Sequence, residues 1–370
     1  MLRRADRRLG PLVLRGAGLL RRSRPLPAAP AAIGILCCAA IGDLVLAGSL
    51  VPALRQRYPA ARLALFHSAA NADAVPLLPA VDQADEIRPL HPRDAVTAMR
   101  RHPLDVLIDT SQWARFGAVL SAASGAGCSI GFRTQDQHRH FAYDIAVEHR
   151  RDRHEHANFE ALLAPLGITA LPRPTLRLAP EAVASAARRH RRPYIVCHPW
   201  PSGWKADLKE WPQEAWRRLA RDLVECGYDV VFTGSGDDRA RAAMLVGPLG
   251  DLGGGLRDLT GSCSLVETAA VIGLAAGLVT VNTGIMHIGA ALDVPLVALH
   301  GPTDPRRWGP LSERAVILQP EGVDVGYLNL GWEYPPDARP CLERVEPARV
   351  LQALLDIVAP ANSGMRRAGP

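Results

Sequence analysis

The sequence predicts an α/β protein of two doubly wound domains facing each other across a cleft. Three observations predict it. Short β-branched runs alternate with helical periods through both halves of the chain, which implies parallel sheets. A proline-rich connector at 171–180 (LPRPTLRLAP) interrupts the alternation near the middle, and the pattern restarts after it. The length, 370 residues, is that of about two domains.

Taken in order, 32–39 (AIGILCCA) reads as a fully buried strand, ended by Ala40-Ile41-Gly42-Asp43. Residues 44–58 read as one helix, 62–67 as a strand, 71–78 as a short helix and 85–88 as a weak strand. A helix at 92–101, a strand at 104–109, a helix at 113–124 and a strand at 129–133 follow. Between 135 and 156 the chain turns polar and histidine-rich, which predicts a solvated loop. Its histidines (His138, His140, His149, His154, His156) lack convincing ligand spacing, so no metal is expected there. Residues 155–166 read as a helix ending at Gly167.

In the second half, 194–198 is a strand, followed by the long loop PWPSGWKADLKEWP. A helix at 213–226, a strand at 229–233 and a helix at 239–246 come next. Ser264 caps a helix running to about residue 276, with Glu267 at the capping-box position. A strand at 278–281 meets a turn at Asn282-Thr283-Gly284, which opens a helix that ends before the strand 295–299. A strand at 315–318, an irregular aromatic stretch and a terminal helix at 347–358 complete the pattern. The expected boundaries are a flexible basic leader and linker over 1–30, a first domain over 31–178 and a second over 179–345. The terminal helix, 346–360, is expected to pack near the domain junction.

Hydrophobic residues make up 48% and charged residues 22% of the chain, which excludes a disordered protein. No apolar run approaches the roughly 20 residues of a membrane helix. The seven cysteines (37, 38, 128, 197, 226, 263, 341) form no CxxC pair or zinc spacing, which points to reduced thiols in a cytoplasmic protein. The net charge of +6 comes from an arginine excess, eight arginines of it in the first 24 residues. That leader could touch an anionic membrane surface peripherally. No aromatic-interleaved basic helix accompanies it, so no nucleic-acid partner is expected.

The chain has no P-loop, no G-x-G-x-x-G and no D-x-D pair. A phosphate ligand would therefore meet charge supplied by the protein itself. Residues 277–305 form a β-α-β unit whose helix starts at Thr283-Gly284, at the carboxyl end of a strand, where phosphates bind; alternatively, Thr283 merely caps the helix. Of the 43 basic residues only Lys205 and Lys209 are lysines, and both lie on one loop. A compact ammonium suits a phosphate as a point charge. Asp43, between a strand and a helix, suits an N-cap, which alone explains an Asp there; the position also suits a base that takes a proton from a hydroxyl. Asp237 and Asp238 follow another strand, where a carboxylate commonly accepts bonds from ribose hydroxyls.

Five segments, in order, carry a resemblance: ILCCAAIGDLVLAGSLVPALRQRYP, HPWPSGWKADLKEWP, GYDVVFTGSGDD, DLTGSCSLVETAAVI and VTVNTGIMHIGAALDVPLVALHGPTDP. From about 33 to 358 the chain resembles the heptosyltransferase-like glycosyltransferases of family 9. The resemblance implies two Rossmann-like domains in the GT-B arrangement and inverting, metal-independent transfer. The donor would be a nucleotide-diphosphate sugar, with no cofactor, and the acceptor a lipopolysaccharide-type glycolipid or other glycan. Carried over by motif, Asp43 is the catalytic base and Lys209, with Lys205, Thr283 and Gly284, holds the donor diphosphate. Asp238, Asn282 and His287 fall in the nucleotide and sugar site. The family commonly has Asp where this chain has Asn282, and Trp200, Trp204 and the segment GYLNLGWEYPP also depart from its pattern. The aromatic residues of that segment either stack on a sugar or base or pack at the domain interface. A binding-only homologue and a sugar-nucleotide epimerase are the alternative functions.

Overall fold

The computed structural model describes residues 10–12, 14–16, 18, 23–88, 91–189, 192–331 and 333–358. The chain divides into two compact units, Met1–Thr175 and Leu176–Pro370, and the division falls inside the proline-rich connector.

In the first unit, β1 (Ala32–Cys37), β2 (Arg62–His67), β3 (Gln83–Glu86), β4 (Val106–Asp109), β5 (Cys128–Arg133) and β6 (Ile145–Glu148) form one sheet in the order β3-β2-β1-β4-β5-β6. Its pairings are parallel. The central β1 is buried along its whole length, as a strand covered on both faces must be, which is why it reads as a continuous apolar run. The edge strand β3 is half exposed in alternation, which explains its weak signal.

The single helix expected over 44–58 is two, α1 (Ile41–Ala47) and α2 (Leu50–Arg57). The Ser49 hydroxyl and amide both turn back to the Leu46 carbonyl. Pro52 has no amide hydrogen with which to continue a ladder through Gly48. Helices α3 (Pro92–Arg100), α4 (Arg115–Ala123) and α5 (Glu155–Leu163) follow.

The polar stretch expected as a solvated loop instead contains regular structure and several buried polar side chains. It holds a short 3-10 turn (Arg139–Ala142) and β6, which pairs with β5. Arg139 is fully buried against Asp109 at 2.9 Å, and His149 is buried against Glu155 at 3.1 Å. Polar side chains read as surface until their partners are known, and Asp109 lies thirty residues away in sequence.

Of the expected leader, residues 1–9, 13, 17 and 19–22 lie outside the described residues. Leu14 is buried with Ala118, Ala142 and Tyr143. The Arg24 amide donates to Asp144 at 3.0 Å, and its side chain donates to the Ala126 carbonyl at 2.6 Å.

The second unit repeats the arrangement. Strands β7 (Tyr194–His198), β8 (Asp229–Phe232), β9 (Leu256–Asp258), β10 (Gly277–Val281), β11 (Leu296–Leu299) and β12 (Ala315–Leu318) form a parallel sheet in the order β12-β11-β10-β7-β8-β9. Read from β9, this is the strand order of the first unit. Helices α6 (Pro180–Arg189), α7 (Gln213–Glu225), α8 (Arg239–Val246), α9 (Leu265–Gly273), α10 (Gly284–Ala291), α11 (Pro305–Trp308) and α12 (Pro347–Ile357) accompany it. The α6 helix, the edge strand β9 and the single turn α11 lack a long apolar period, and the pattern reading missed all three.

Ser264 and Glu267 form the expected capping box. The Glu267 amide donates to the Ser264 hydroxyl at 3.3 Å, and the Ser264 amide donates to the Glu267 carboxylate at 2.8 Å. Trp211, Trp216, Leu219, Leu223, Val350, Leu354 and Val358 share one core, so α12 packs on α7, β11 and β12 of its own unit. Residues 359–360 of the expected terminal helix lie outside the described residues. Among the described residues no helix is long and apolar enough to cross a membrane.

Candidate active site

In each unit the strand order reverses between two neighbours, β1 and β4 in the first and β7 and β10 in the second. Ligands of open parallel sheets bind outside the carboxyl ends of the strands at that reversal. Asp43, Lys205, Lys209, Asn282, Thr283 and Gly284 lie at or just beyond the ends of these strands, whereas His287 lies within the helix after β10 and Asp238 follows β8.

Asp43 follows β1 and is the third residue of α1, so it is not the N-cap; Ala40 is. Its carboxylate reaches back to the helix start, where Oδ2 accepts the Ala40 amide at 3.3 Å, while Oδ1 accepts the Gln112 side-chain amide at 2.9 Å. Gln112 follows β4, so the two residues flank the reversal from its two strands. Asp43 stays half exposed. The neighbouring Cys37 thiol is pushed up to about 12, first by burial and then by the Asp43 charge. It therefore stays protonated and unreactive at neutral pH.

In the second unit, Asn282, Thr283 and Gly284 follow β10. Thr283 is the N-cap residue of α10 in extended conformation, and its side chain makes no capping hydrogen bond. The Thr283 side chain therefore does not cap the helix, while its main-chain carbonyl accepts the Met286 amide at 3.1 Å. The Asn282 side-chain amide points to the Met286 sulfur at 3.9 Å. His287 is buried within α10.

Lys209 ends a 3-10 turn (Ala206–Lys209) on the loop after β7, the strand beside β10. Its ammonium donates to the Ser202 carbonyl at 2.9 Å, and burial lowers its pKa. The next residues are firmly anchored: the Trp211 indole donates to the Val345 carbonyl at 2.9 Å. Lys205 differs from Lys209. It takes a left-handed backbone conformation (φ 52°), and its ammonium lies 5.4 Å from the Trp204 ring centroid and 5.1 Å from that of Tyr334. The two departures from the family pattern thus meet in one cation–π cluster. Trp204 is 50% exposed, whereas Trp200 is buried under Arg241.

Asp238 is engaged locally, accepting the Ser235 amide at 2.9 Å and the Ser235 hydroxyl at 2.6 Å. Arg241 lies 2.6 Å from Glu210 and 3.9 Å from Asp238, so it ties the Lys209 loop to the loop after β8. His198 and His300 are buried at the ends of β7 and β11 and are held neutral by that burial, each pushed down to about 4. Among the described residues no group of three or more histidine, cysteine and carboxylate side chains could hold a metal ion.

Sequence reasoning missed Gln112 and Arg241. Gln112 could have been found as the first long polar side chain beyond a strand at the reversal. An arginine in an arginine-rich chain carries no such signal.

Two doubly wound units with polar turns at their strand-order reversals define a two-unit, Rossmann-like α/β protein. The chain belongs to glycosyltransferase family 9 (heptosyltransferase), whose profile matches residues 95–323. It is 36% identical over 112 residues to lipopolysaccharide heptosyltransferase 2 of Salmonella typhimurium, covering 30% of this chain and 32% of that protein. To lipopolysaccharide heptosyltransferase 1 of Pseudomonas aeruginosa it is 33% identical over 183 residues, covering 44% and 48%. The matches thus span about a third to a half of these relatives. Among solved structures, Escherichia coli ADP-heptose lipopolysaccharide heptosyltransferase II superposes with a TM-score of 0.71 at 23% identity, over 88% of this chain and 98% of that one. A family 9 glycosyltransferase of Veillonella parvula gives a TM-score of 0.73 at 17% identity, over 91% and 99%. These two likenesses establish the fold.

Proposed function

We propose that the protein is an inverting glycosyltransferase that moves a sugar from a nucleotide-diphosphate sugar to a hydroxyl of a lipopolysaccharide-type acceptor. The observation that carries this reading is the half-exposed Asp43 carboxylate at the strand-order reversal, held by hydrogen bonds on both oxygens. Such a carboxylate can take the proton of an acceptor hydroxyl as that oxygen attacks the anomeric carbon of the donor sugar. The glycosidic bond to the diphosphate breaks as the new bond forms on the opposite face, and the departing diphosphate keeps the bonding electrons. The Lys209 ammonium and the amides at the start of α10 would meet its growing charge. The part played by Lys205 is at most indirect, since its ammonium is engaged with two rings. ADP-heptose is the first donor to test, because one similar protein is named a lipopolysaccharide heptosyltransferase and a similar solved structure an ADP-heptose lipopolysaccharide heptosyltransferase.

The reading also places the protein in the cytoplasm, where such donors are made, with its acceptor presented at a membrane surface. Asn282 favours a second reading, a binding-only homologue, since an amide replaces the carboxylate common at that position. The experiment is the release of ADP from ADP-heptose, with and without heptose-free lipopolysaccharide, followed by mass spectrometry of the acceptor. Acceptor-dependent release with a matching gain of mass supports transfer. Tight ADP-heptose binding with no release supports the second reading, and acceptor-independent consumption supports an isomerising or hydrolytic enzyme.

A further inference from the structure

The turn that carries Gln112 is fixed at nearly every residue. Both the amide and the hydroxyl of Thr110 donate to the Leu36 carbonyl at 3.0 Å, which ties the end of β4 to β1. The Ser111 amide donates to Asp109 at 2.9 Å. Thr134 donates its hydroxyl to the Gln112 main-chain carbonyl, and Arg139 donates to the Ala114 carbonyl.

Beneath the turn lies a buried polar cluster. Asp109 and Arg139 are fully buried and 2.9 Å apart, and the Tyr143 hydroxyl donates to Asp109 at 2.7 Å. Burial is the largest influence on Tyr143 and holds its hydroxyl protonated, as a donor must be. The backbone makes room for the cluster. A Cβ on Gly117 would stand 2.8 Å from the Asp109 carboxylate, and one on Gly131 would stand 2.3 Å from the Tyr143 ring. A buried ion pair contributes little net stability over an apolar replacement of the same shape. Such a cluster is better understood by the geometry that it imposes.

The geometry points to Gln112 as a positioning residue for Asp43, with Asp109, Arg139 and Tyr143 as the brace that fixes its turn. The inference rests on the reading of Asp43 as the base. A carboxylate on a short side chain can rotate about two bonds, and only some of its orientations present a lone pair to an acceptor hydroxyl. The Gln112 amide occupies Oδ1 and the Ala40 amide approaches Oδ2 from the helix start, so the plane of the carboxylate is set before substrate arrives. Displacing a reacting group by about 1 Å can cost roughly a hundredfold in rate.

The test compares Gln112→Met, which keeps the length and removes the donor, with Gln112→Glu, which faces Asp43 with a second carboxylate. Tyr143→Phe probes the brace and Asp43→Asn is the control. The assay is heptose transfer from ADP-heptose to heptose-free lipopolysaccharide, with ADP affinity and Tm measured on the same samples. Gln112→Met is expected to lower kcat about 10- to 100-fold, with acceptor KM, ADP affinity and Tm within twofold or 2 °C, roughly, of wild type. Gln112→Glu is expected to fall further and Tyr143→Phe to fall less. A loss in KM alone, or a kcat for Gln112→Met equal to wild type while Asp43→Asn is inactive, overturns this inference and leaves the base intact. Full activity in Asp43→Asn removes the base reading itself. Independently of any substrate, a crystal structure of Gln112→Met with the Asp43 carboxylate unmoved also overturns the proposal.

Discussion

Lys209 and Lys205 sit four residues apart on one loop, yet their surroundings separate them. The Lys209 ammonium is half-buried and held by a single main-chain carbonyl, whereas the Lys205 ammonium is engaged with Trp204 and Tyr334. Sequence spacing could single out the pair but not divide the labour, because the division depends on Tyr334, 129 residues further along. Removing the Lys209 point charge is expected to weaken ADP binding by about tenfold or more, and the broader guanidinium of Lys209→Arg is expected not to restore it. Calorimetric titration with ADP measures both. Burial lowers the Lys209 pKa, so its positive charge is lost at a lower pH than that of an exposed lysine. ADP affinity should therefore decline with rising pH in the wild type, and Lys209→Ala should lack that decline. Lys205→Met with ADP affinity reduced as much as Lys209→Ala would contradict the distinction.

The elements were legible where their apolar period was long. The buried run of β1, the amphipathic α7 and the capped α9 all stand where the pattern predicts them. The failures have two physical causes, local backbone chemistry that a periodicity overlooks and partners distant in sequence. The expected helix over 44–58 breaks because Ser49 turns back on Leu46 and Pro52 lacks a donor. The stretch around β6 reads as surface because Arg139 and His149 are polar, yet both are buried with carboxylates. The candidate site was legible in the same degree. Asp43, Thr283 and Gly284 are marked by strand-to-turn junctions, whereas Gln112 has only its place beyond β4 as a sequence signal, and its bond to Asp43 is tertiary. The capping box offers a check at this scale. Ser264→Ala is expected to cost about 1 kcal/mol of stability, read as a shift of the urea midpoint with an unchanged slope. ADP affinity should not move, because the box lies at the start of α9 and not at a strand-order reversal. An unchanged midpoint would mean that the box contributes nothing beyond what water supplies.

At the scale of the whole molecule, two buried histidines link stability to pH. His198 bonds Thr233 at 3.0 Å and His300 approaches the Met286 sulfur at 3.2 Å, and burial pushes each down to about 4. The unfolded chain takes up a proton at each near pH 6.5, which the folded chain refuses until about pH 4. Their contribution is therefore complete above pH 6.5 and lost as pH falls from there towards 4, at roughly 1.4 kcal/mol per pH unit for each. Tm should drop between pH 7 and pH 5, and His300→Gln should flatten that drop; an equal drop in the variant would contradict the assignment. The same strand order in both units places one reversal beside Asp43 and the other beside Thr283 and Gly284. On the proposed function, acceptor activation belongs to the first unit and donor binding to the second. The most direct test is acceptor-dependent release of ADP from ADP-heptose by wild type and Asp43→Asn, with ADP affinity measured alongside. The account predicts release by the wild type with inversion at the anomeric carbon, a loss of about a hundredfold or more in Asp43→Asn, and unchanged ADP affinity. Asp43→Asn turning over at the wild-type rate would contradict it.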